Sequence, residues 1–436
     1  MGHPMWVPHL LLGRIVVDGG AAGCSGRRPT TQTATWEGRT VAVSALGRQV
    51  RVQRTRRQMT QTALASAAEV SVDLIRKIEQ GQRQRVGLDS VARLAAALDV
   101  TMADLLDKPR GLAGGAEDGE LGALRRAVLG LTPLMVEPPA LDAMQAAVAD
   151  LWGAYWAGRY AHLARQLPDR INQARALAGS AASRDQAVTS TLLAEVMQLS
   201  GSLLAHLANE DLAHLALTAA DRASEAAGDM LLHASVQAAR AWVLSRQGLW
   251  AESEHVATST ADAIEPRLSQ ASADQVAVWG ELLRYGCTAV ARSGRHADAR
   301  DLLGLVQAAA ARLGSDRATR YAAGFGPTVA AMKAVDVAVT ADRPRTAIRL
   351  AERVEHPDRV PTAMHARYLL GVAWAQTADW RSQDAVDTLR RVDRLAPEVL
   401  DHQTLARVCV EELLPRRSRQ RLPGLVALAD RVGVSR

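Results

Sequence analysis

The sequence predicts an all-α protein in two unequal parts: a five-helix unit near the N-terminus and a long stack of helical hairpins behind it. Three observations carry this. Ala and Leu dominate the composition and there is one Phe among 436 residues, with 48% apolar and 22% charged residues; Ala and Leu lose little freedom in a helix. Between residues 46 and 106, apolar positions recur at helical spacing behind Ser, Thr or Asp caps. From residue 157 onward, a short turn made of small or polar residues returns again and again. The chain is too long for one compact core, so separate domains are expected.

A first helix is expected from about Leu46 to Arg57, with Leu46, Val50 and Gln53 inward. Thr60 is placed to cap a second, Gln61 to Ala67, with Leu64 inward. Glu69 and Val70 form a turn. Ser71 then caps a third helix, Val72 to Gln80, which Gly81 stops. Asp89 is read as the cap of a fourth that runs through Leu98 and carries Val91, Leu94, Ala95 and Leu98 on one face. Thr101 caps a short fifth, Met102 to Leu106, and Pro109 closes the unit. Residues 1–44 mix Gly, Thr, Arg and Pro without periodicity and are read as a disordered tail or an upstream extension of the coding region. Residues 109–140 read as a linker, Gly-rich through 110–120, with a short connecting helix about Leu121 to Leu129 and a break at Pro138-Pro139.

Residues 141–436 repeat weakly. Turns begin at positions 157, 208, 247, 293, 341 and 378, spaced 51, 39, 46, 48 and 37 residues apart. Small residues follow most of them, as at Ala297 and Ala299 or Ala347 and Ala351, and let two helices approach closely. A single hairpin cannot bury its apolar face, so neighbours must stack into a solenoid. The pattern resembles tetratricopeptide repeats, with a longer and less regular period than their 34 or so residues. The resemblance implies a curved superhelix with a concave binding face.

Charge is unevenly spread. From Arg48 to Arg85 there are nine Lys or Arg against three Asp or Glu, a local +6; residues 1–47 carry +2 and the rest of the chain −2. One short segment thus holds as much excess positive charge as the whole chain, the footprint of a nucleic-acid contact surface.

The stretch from Met59 to Gly81, with Leu88 to Leu106 behind it, resembles the Cro/C1-type (xenobiotic-response-element-like) helix-turn-helix family over about 60 residues. Ala63 is read as the small residue where two helices cross. Leu64, Val70, Ile75 and Ile78 supply a compact core, which turns Val72, Asp73, Arg76 and Lys77 to other sides of the third helix. The resemblance implies double-stranded DNA as partner, with Ser71 at the tip of the helix that enters the major groove. It implies a phosphate contact for Gln61 and base-reading positions for Val72 and Asp73. Arg76 and Lys77 reach bases or phosphates, while Arg83 and Arg85 in the following loop suit the backbone or the minor groove. Two departures stand out. Glu69 occupies a turn position where the family usually has Gly, at a cost of about 1 kcal/mol if its φ is positive. Asp73 puts an acid toward DNA, where it can exclude wrong bases.

Cys24, Cys287 and Cys409 are too scattered for a disulfide framework or zinc site. No phosphate-binding glycine loop, metal-binding histidine pair or nucleophile motif occurs, so no catalytic residue, cofactor or metal is expected and the chain is not read as an enzyme. His206 and His214 straddle a turn and read as ordinary histidines. Trp152, Trp156, Trp242, Trp250, Trp279, Trp374 and Trp380 read first as core, second as a ligand groove. The Gly/Pro-bounded stretch from Tyr321 to Pro327 reads as a structural bend. No run of about 18 apolar residues suggests a membrane span. The whole reads as a cytoplasmic, nucleoid-associated transcription regulator that forms a homodimer and takes a peptide or small-molecule effector on its repeats. The alternative is an interaction scaffold whose N-terminal unit does not read DNA.

Overall fold

The computed structural model describes residues 43–57, 59–80, 88–98, 100, 105, 117–131, 137–318, 321, 324–418 and 421–434. The tail 1–42, the stop at Gly81, most of the fifth helix, residues 106–116 and Cys24 lie outside them. Leu105 alone of the fifth helix is described; it is helical and buried.

The N-terminal unit contains α1 (Val43–Arg56), α2 (Gln61–Ala67), α3 (Val72–Glu79) and α4 (Leu88–Ala97). Thr60 and Ser71 cap α2 and α3 as expected, their hydroxyls accepting from the amides of Ala63 and Leu74 at 3.0 and 3.1 Å. Leu46, Val50, Leu64, Ile75, Ile78, Val91, Leu94, Ala95 and Leu98 form one buried core. Three sequence readings change. The fourth helix starts at Leu88, so Asp89 lies inside it rather than capping it. Ala63 is exposed; the buried small residues of α2 and its end are Ala65 and Ala68. The tight crossing is at Gly47 instead. A Cβ there would lie 2.1 Å from the carbonyl oxygen of Ile78, so α1 and α3 meet backbone to side-chain-free backbone.

The connecting helix, α5 (Glu117–Val128), starts earlier than expected and shares the core of the following region through Leu124, Ala127 and Val128. Beyond it the chain forms helical hairpins: α6 (Leu141–Trp156) with α7 (Tyr160–Ser180), α8 (Gln186–His206) with α9 (Glu210–Ala227), α10 (Met230–Gln247) with α11 (Trp250–Ala263), α12 (Ala273–Arg292) with α13 (His296–Leu313), α14 (Pro327–Thr340) with α15 (Pro344–Ala351), and α16 (Thr362–Ala378) with α17 (Ser382–Leu395). Then come α18 (Pro397–His402), α19 (Thr404–Leu413) and α20 (Leu425–Arg431). The helix α8 is apolar and long enough to cross a membrane, but 78% of its apolar window is buried inside the protein, so it reads as a core helix.

All six expected turns are the turns of these hairpins, and they share one geometry. The middle residue has positive φ: Gly158, Ala208, Gly248, Gly294, Asp342 and Trp380, between 54° and 85°. The next residue, from Arg159 to Arg381, has ψ between 63° and 68°. Five positions after the positive-φ residue stands Leu163, Ala213, Ser253, Ala299, Ala347 or Ala385, each fully buried. The turn orients the returning helix, and at five of the six, Leu163 being the exception, a small residue at that place lets it close on its partner.

Successive first helices touch: α6 meets α8, α8 meets α10, and so on to α16, which meets α6 again. The solenoid therefore winds until its ends meet, and four of its inner helices line a partly open cavity. The clasp is specific. α7 begins without a side-chain cap of its own, and Glu398 of α18 accepts from the Ala161 amide at 2.7 Å. Gly158 makes room for that segment, since a Cβ there would come 2.9 Å from a Val399 methyl. The bend before α14 is structural, as expected: Phe325 is fully buried and pairs antiparallel with Arg317.

Two glycines separate turn strain from closure. Gly158 and Gly248 both have positive φ, but a Cβ on Gly248 meets nothing within 4 Å. Gly248→Ala should cost about 1–2 kcal/mol, the left-handed penalty alone. Gly158→Ala adds overpacking of about 1–3 kcal/mol against Val399. Urea denaturation of both variants should show the larger loss at Gly158; equal losses would mean that the ends do not press together there.

Candidate nucleic-acid interface

The sequence places three apolar side chains of α3 inward, Leu74, Ile75 and Ile78, and all are buried. What remains outside is Val72, Asp73, Arg76 and Lys77, with Ser71 at the tip. Val72 is 42% exposed, a large apolar side chain left on the surface at the start of a helix. Asp73 lies one residue further in. Its carboxylate accepts from Arg76 at 2.5 Å and pairs with Lys77 at 2.6 Å, the two cations standing three and four residues along. Lys77, then Arg76, hold the Asp73 carboxyl below its ordinary value. An acid in the first turn also suits the positive end of its own helix. All three side chains are about half exposed, so the pairs are solvated and easily exchanged for other partners.

Gln61 stands at the first residue of α2, but its amide nitrogen donates to Glu79 at 2.8 Å. Glu79 also takes Arg54, whose Nε donates at 2.6 Å and whose second nitrogen donates at 3.0 Å. Arg54 donates further to the Met59 carbonyl. One nearly buried carboxylate thus ties α1, the turn after it, α2 and α3 together. Neither Arg54 nor Glu79 stood out in the sequence, because both read as charges on solvated faces. The signal that could have found them is the interior helix glycine, Gly47, which brings α1 against the end of α3.

The turn between α2 and α3 confirms the other departure. Glu69 has φ of 52°, the left-handed conformation that favours glycine. Arg83 and Arg85 lie outside the described residues. Gln61 and Ser71 thus mark the starts of α2 and α3, and Val72, Asp73, Arg76 and Lys77 share one exposed helix surface.

Burial alone would raise the Glu79 carboxyl; hydrogen bonds from Arg54 and Gln61 outweigh it and hold the group below its ordinary value of 4.5. Such a group stabilises the fold above its unfolded value, and that stability goes as pH falls through the lower folded value. The N-terminal unit should therefore weaken below about pH 4.5. Glu79→Ala should cost about 3 kcal/mol at pH 7 by stranding Arg54 and should flatten the acid dependence. Thermal unfolding from pH 3 to pH 7 checks both; an unchanged acid limb in the variant would count against the network.

Residues 45–108 match a family model described as a helix-turn-helix domain. No curated protein matches the chain. Among solved structures, the apo form of ComR from S. thermophilus aligns with 75% of this chain and 97% of its own, at 13% identity and a TM-score of 0.21.

Proposed function

We propose that this chain is a sequence-specific, DNA-binding transcription regulator of the Cro/C1 type. The observation that carries the reading is the surface of α3: a doubly capped helix-turn-helix holds Val72, Asp73, Arg76 and Lys77 outward, within a segment of net charge +6. A helix of this size fits the major groove. Val72 is suited to a thymine methyl, and Asp73 to the amino group of cytosine or adenine. Arg76 and Lys77 leave Asp73 for phosphate or guanine. With its amide nitrogen engaged by Glu79, Gln61 marks a place where a phosphate would meet the first-turn amides of α2. Arg83 and Arg85 are assigned to the backbone.

One unit reads only a few base pairs, so the working form is proposed to be a homodimer on two half-sites. The tetratricopeptide-like repeats are read as the sensing part. Their inner helices line a cavity of about 510 Å³, walled by Trp152, Trp156, Trp242 and Tyr285, a size typical of small-molecule sites. An effector there changes operator affinity only by binding the two states of the protein unequally. The protein acts by binding, without catalysis.

The full chain should bind duplex DNA with an affinity that drops about 10³-fold between 50 and 200 mM salt, as expected for six or so neutralised phosphates. A flat salt response in a gel-shift series would remove the phosphate contacts from the reading. Asp73→Ala should relax selection at one or two base pairs by about tenfold each and strengthen binding to unrelated DNA. Selection from a random pool decides: an unchanged motif would leave Asp73 as a helix-end acid only. Sedimentation that finds a monomer both free and on DNA would rule out the homodimer.

A further inference from the structure

α8 is apolar enough to cross a membrane, yet one side of it is polar. Thr191, Glu195, Gln198 and Ser202 follow one another at four, three and four residues, which sets them in one row along the helix. All four line the cavity of about 510 Å³ between α6, α8, α10 and α12. Thr191, Gln198 and Ser202 are buried and Glu195 is half-buried. A polar row on a core helix is costly unless something answers it. The other walls are largely aromatic, with Trp152 and Trp156 on α6 and Trp242 on α10.

The row offers acceptors more than donors. The Thr191 hydroxyl donates to the Ala187 carbonyl at 3.0 Å. The Gln198 amide nitrogen donates to the carbonyl and the hydroxyl of Ser235 on α10, at 3.1 and 3.0 Å. That carbonyl can only accept, so the Gln198 oxygen is turned the other way, and it makes no hydrogen bond with a described residue. The Ser235 hydroxyl donates onward to the Tyr321 carbonyl at 2.7 Å. Hydrogens are spent on the protein and lone pairs are left. Glu195 adds a carboxylate, whose four or so lone-pair sites can hold another partner and a ligand N–H together. Glu281 on α12 also lines the cavity, but Arg284 answers it, its Nε donating at 2.8 Å. Among the described residues no lysine, arginine or histidine lines the cavity, and its remaining donors, such as Ser202 and the indoles, are neutral.

Two guanidiniums stand beyond the rings, away from Glu195. Arg246 lies 5.4 Å from the centroid of Trp242, and Arg367 5.9 Å from that of Trp156, the last residue of α6. α8 and α10 run in the same direction, with Gln198 beside Ser235 and His206 beside Trp242. Arg246 is eleven residues past Ser235, about 16 Å along the helix, whereas Glu195 lies one turn before Gln198. α6 ends level with α8, Tyr155 beside His206, so Trp152 stands one turn nearer Glu195 than Trp156 does. Like charges repel, so a ligand cation is directed to the Glu195 end and its body to the indoles, whose faces suit flat apolar groups and cations alike. We propose that the cavity binds an organic ammonium ion on a flat apolar body, its N–H groups met by Glu195 and the Gln198 oxygen and its body against Trp152, Trp156 and Trp242. This rests on reading the cavity as the effector site and adds the chemical class of the effector.

The test uses the full chain and three probes of similar shape, titrated calorimetrically at neutral pH: 1-naphthylmethylamine, which is then an ammonium ion, the neutral 1-naphthylmethanol, and 1-naphthoate. The ammonium ion should bind roughly tenfold or more tightly than either of the others. Glu195→Gln keeps the shape and removes the charge; it should weaken the ammonium ion by roughly tenfold and leave the alcohol unchanged. Trp152→Leu should weaken ammonium ion and alcohol alike. Ammonium ion and alcohol of equal affinity, or a tighter carboxylate, would overturn the proposal while leaving a cavity that binds apolar molecules. Equal weakening of both probes in Glu195→Gln would overturn it as well. If none of the three binds, the effector reading of the cavity falls with it. Should Glu195→Gln fail to fold, the comparison of the three probes on the unmodified protein decides alone.

Discussion

The C-terminal region is built on six hairpin reversals, each turning on a residue with positive φ just past the end of a helix. The turn orients the returning helix, and at five of the six a small buried residue five positions on lets it come close. Glycine is the easy occupant, at Gly158, Gly248 and Gly294. Ala208, Asp342 and Trp380 adopt the same conformation at a cost of about 1–2 kcal/mol each. That they do so shows the geometry to be imposed by the stack rather than chosen locally. Trp380 is the clearest case. It is 69% exposed, with the Arg416 guanidinium 4.2 Å from its ring, so neither burial nor local preference explains its backbone.

The N-terminal unit follows the same logic on a smaller scale. Glu69 takes a glycine conformation because the caps at Thr60 and Ser71 fix where α2 stops and α3 starts. The angle between these helices then presents α3 outward. The carboxylate of Glu79 secures that presentation by joining Arg54 and Gln61 to the far end of α3. Gly47 allows the approach that makes the bond possible. Asp73 and Glu79, six residues apart on one helix, thus do opposite things. Asp73 holds two cations on the surface, in pairs that water reaches. Glu79 buries its partners and spends its charge on shape.

Local features were legible in the sequence. The caps, the inward faces of α1 to α4, the strained turn at Glu69 and all six hairpin turns follow from residue types within a few positions of each other. What was not legible depends on distant pairs. Ala63 was read as the small crossing residue because it sits at helical spacing, but the crossing depends on which carbonyl lies opposite, and Ile78 faces Gly47. Asp89 looks like a cap, yet α4 begins one residue earlier. Ring closure could not be read at all, since Ala161 and Glu398 are 237 residues apart and neither stands out locally.

Closure also decides how the stack is held. In an open superhelix the first and last hairpins would each leave a face without a neighbour; here α16 packs on α6, and Glu398 holds the Ala161 amide at the start of α7. Gly158 leaves room for the Val399 methyl at that contact. The ring is continuous with α5 through Leu124, Ala127 and Val128, and α5 lies on the path back toward the helix-turn-helix unit. These three residues share one buried core with Val399 and Leu400 at the far end of the stack. A change in the packing of the first hairpin therefore acts on both ends of the stack and on the anchor of that path at once.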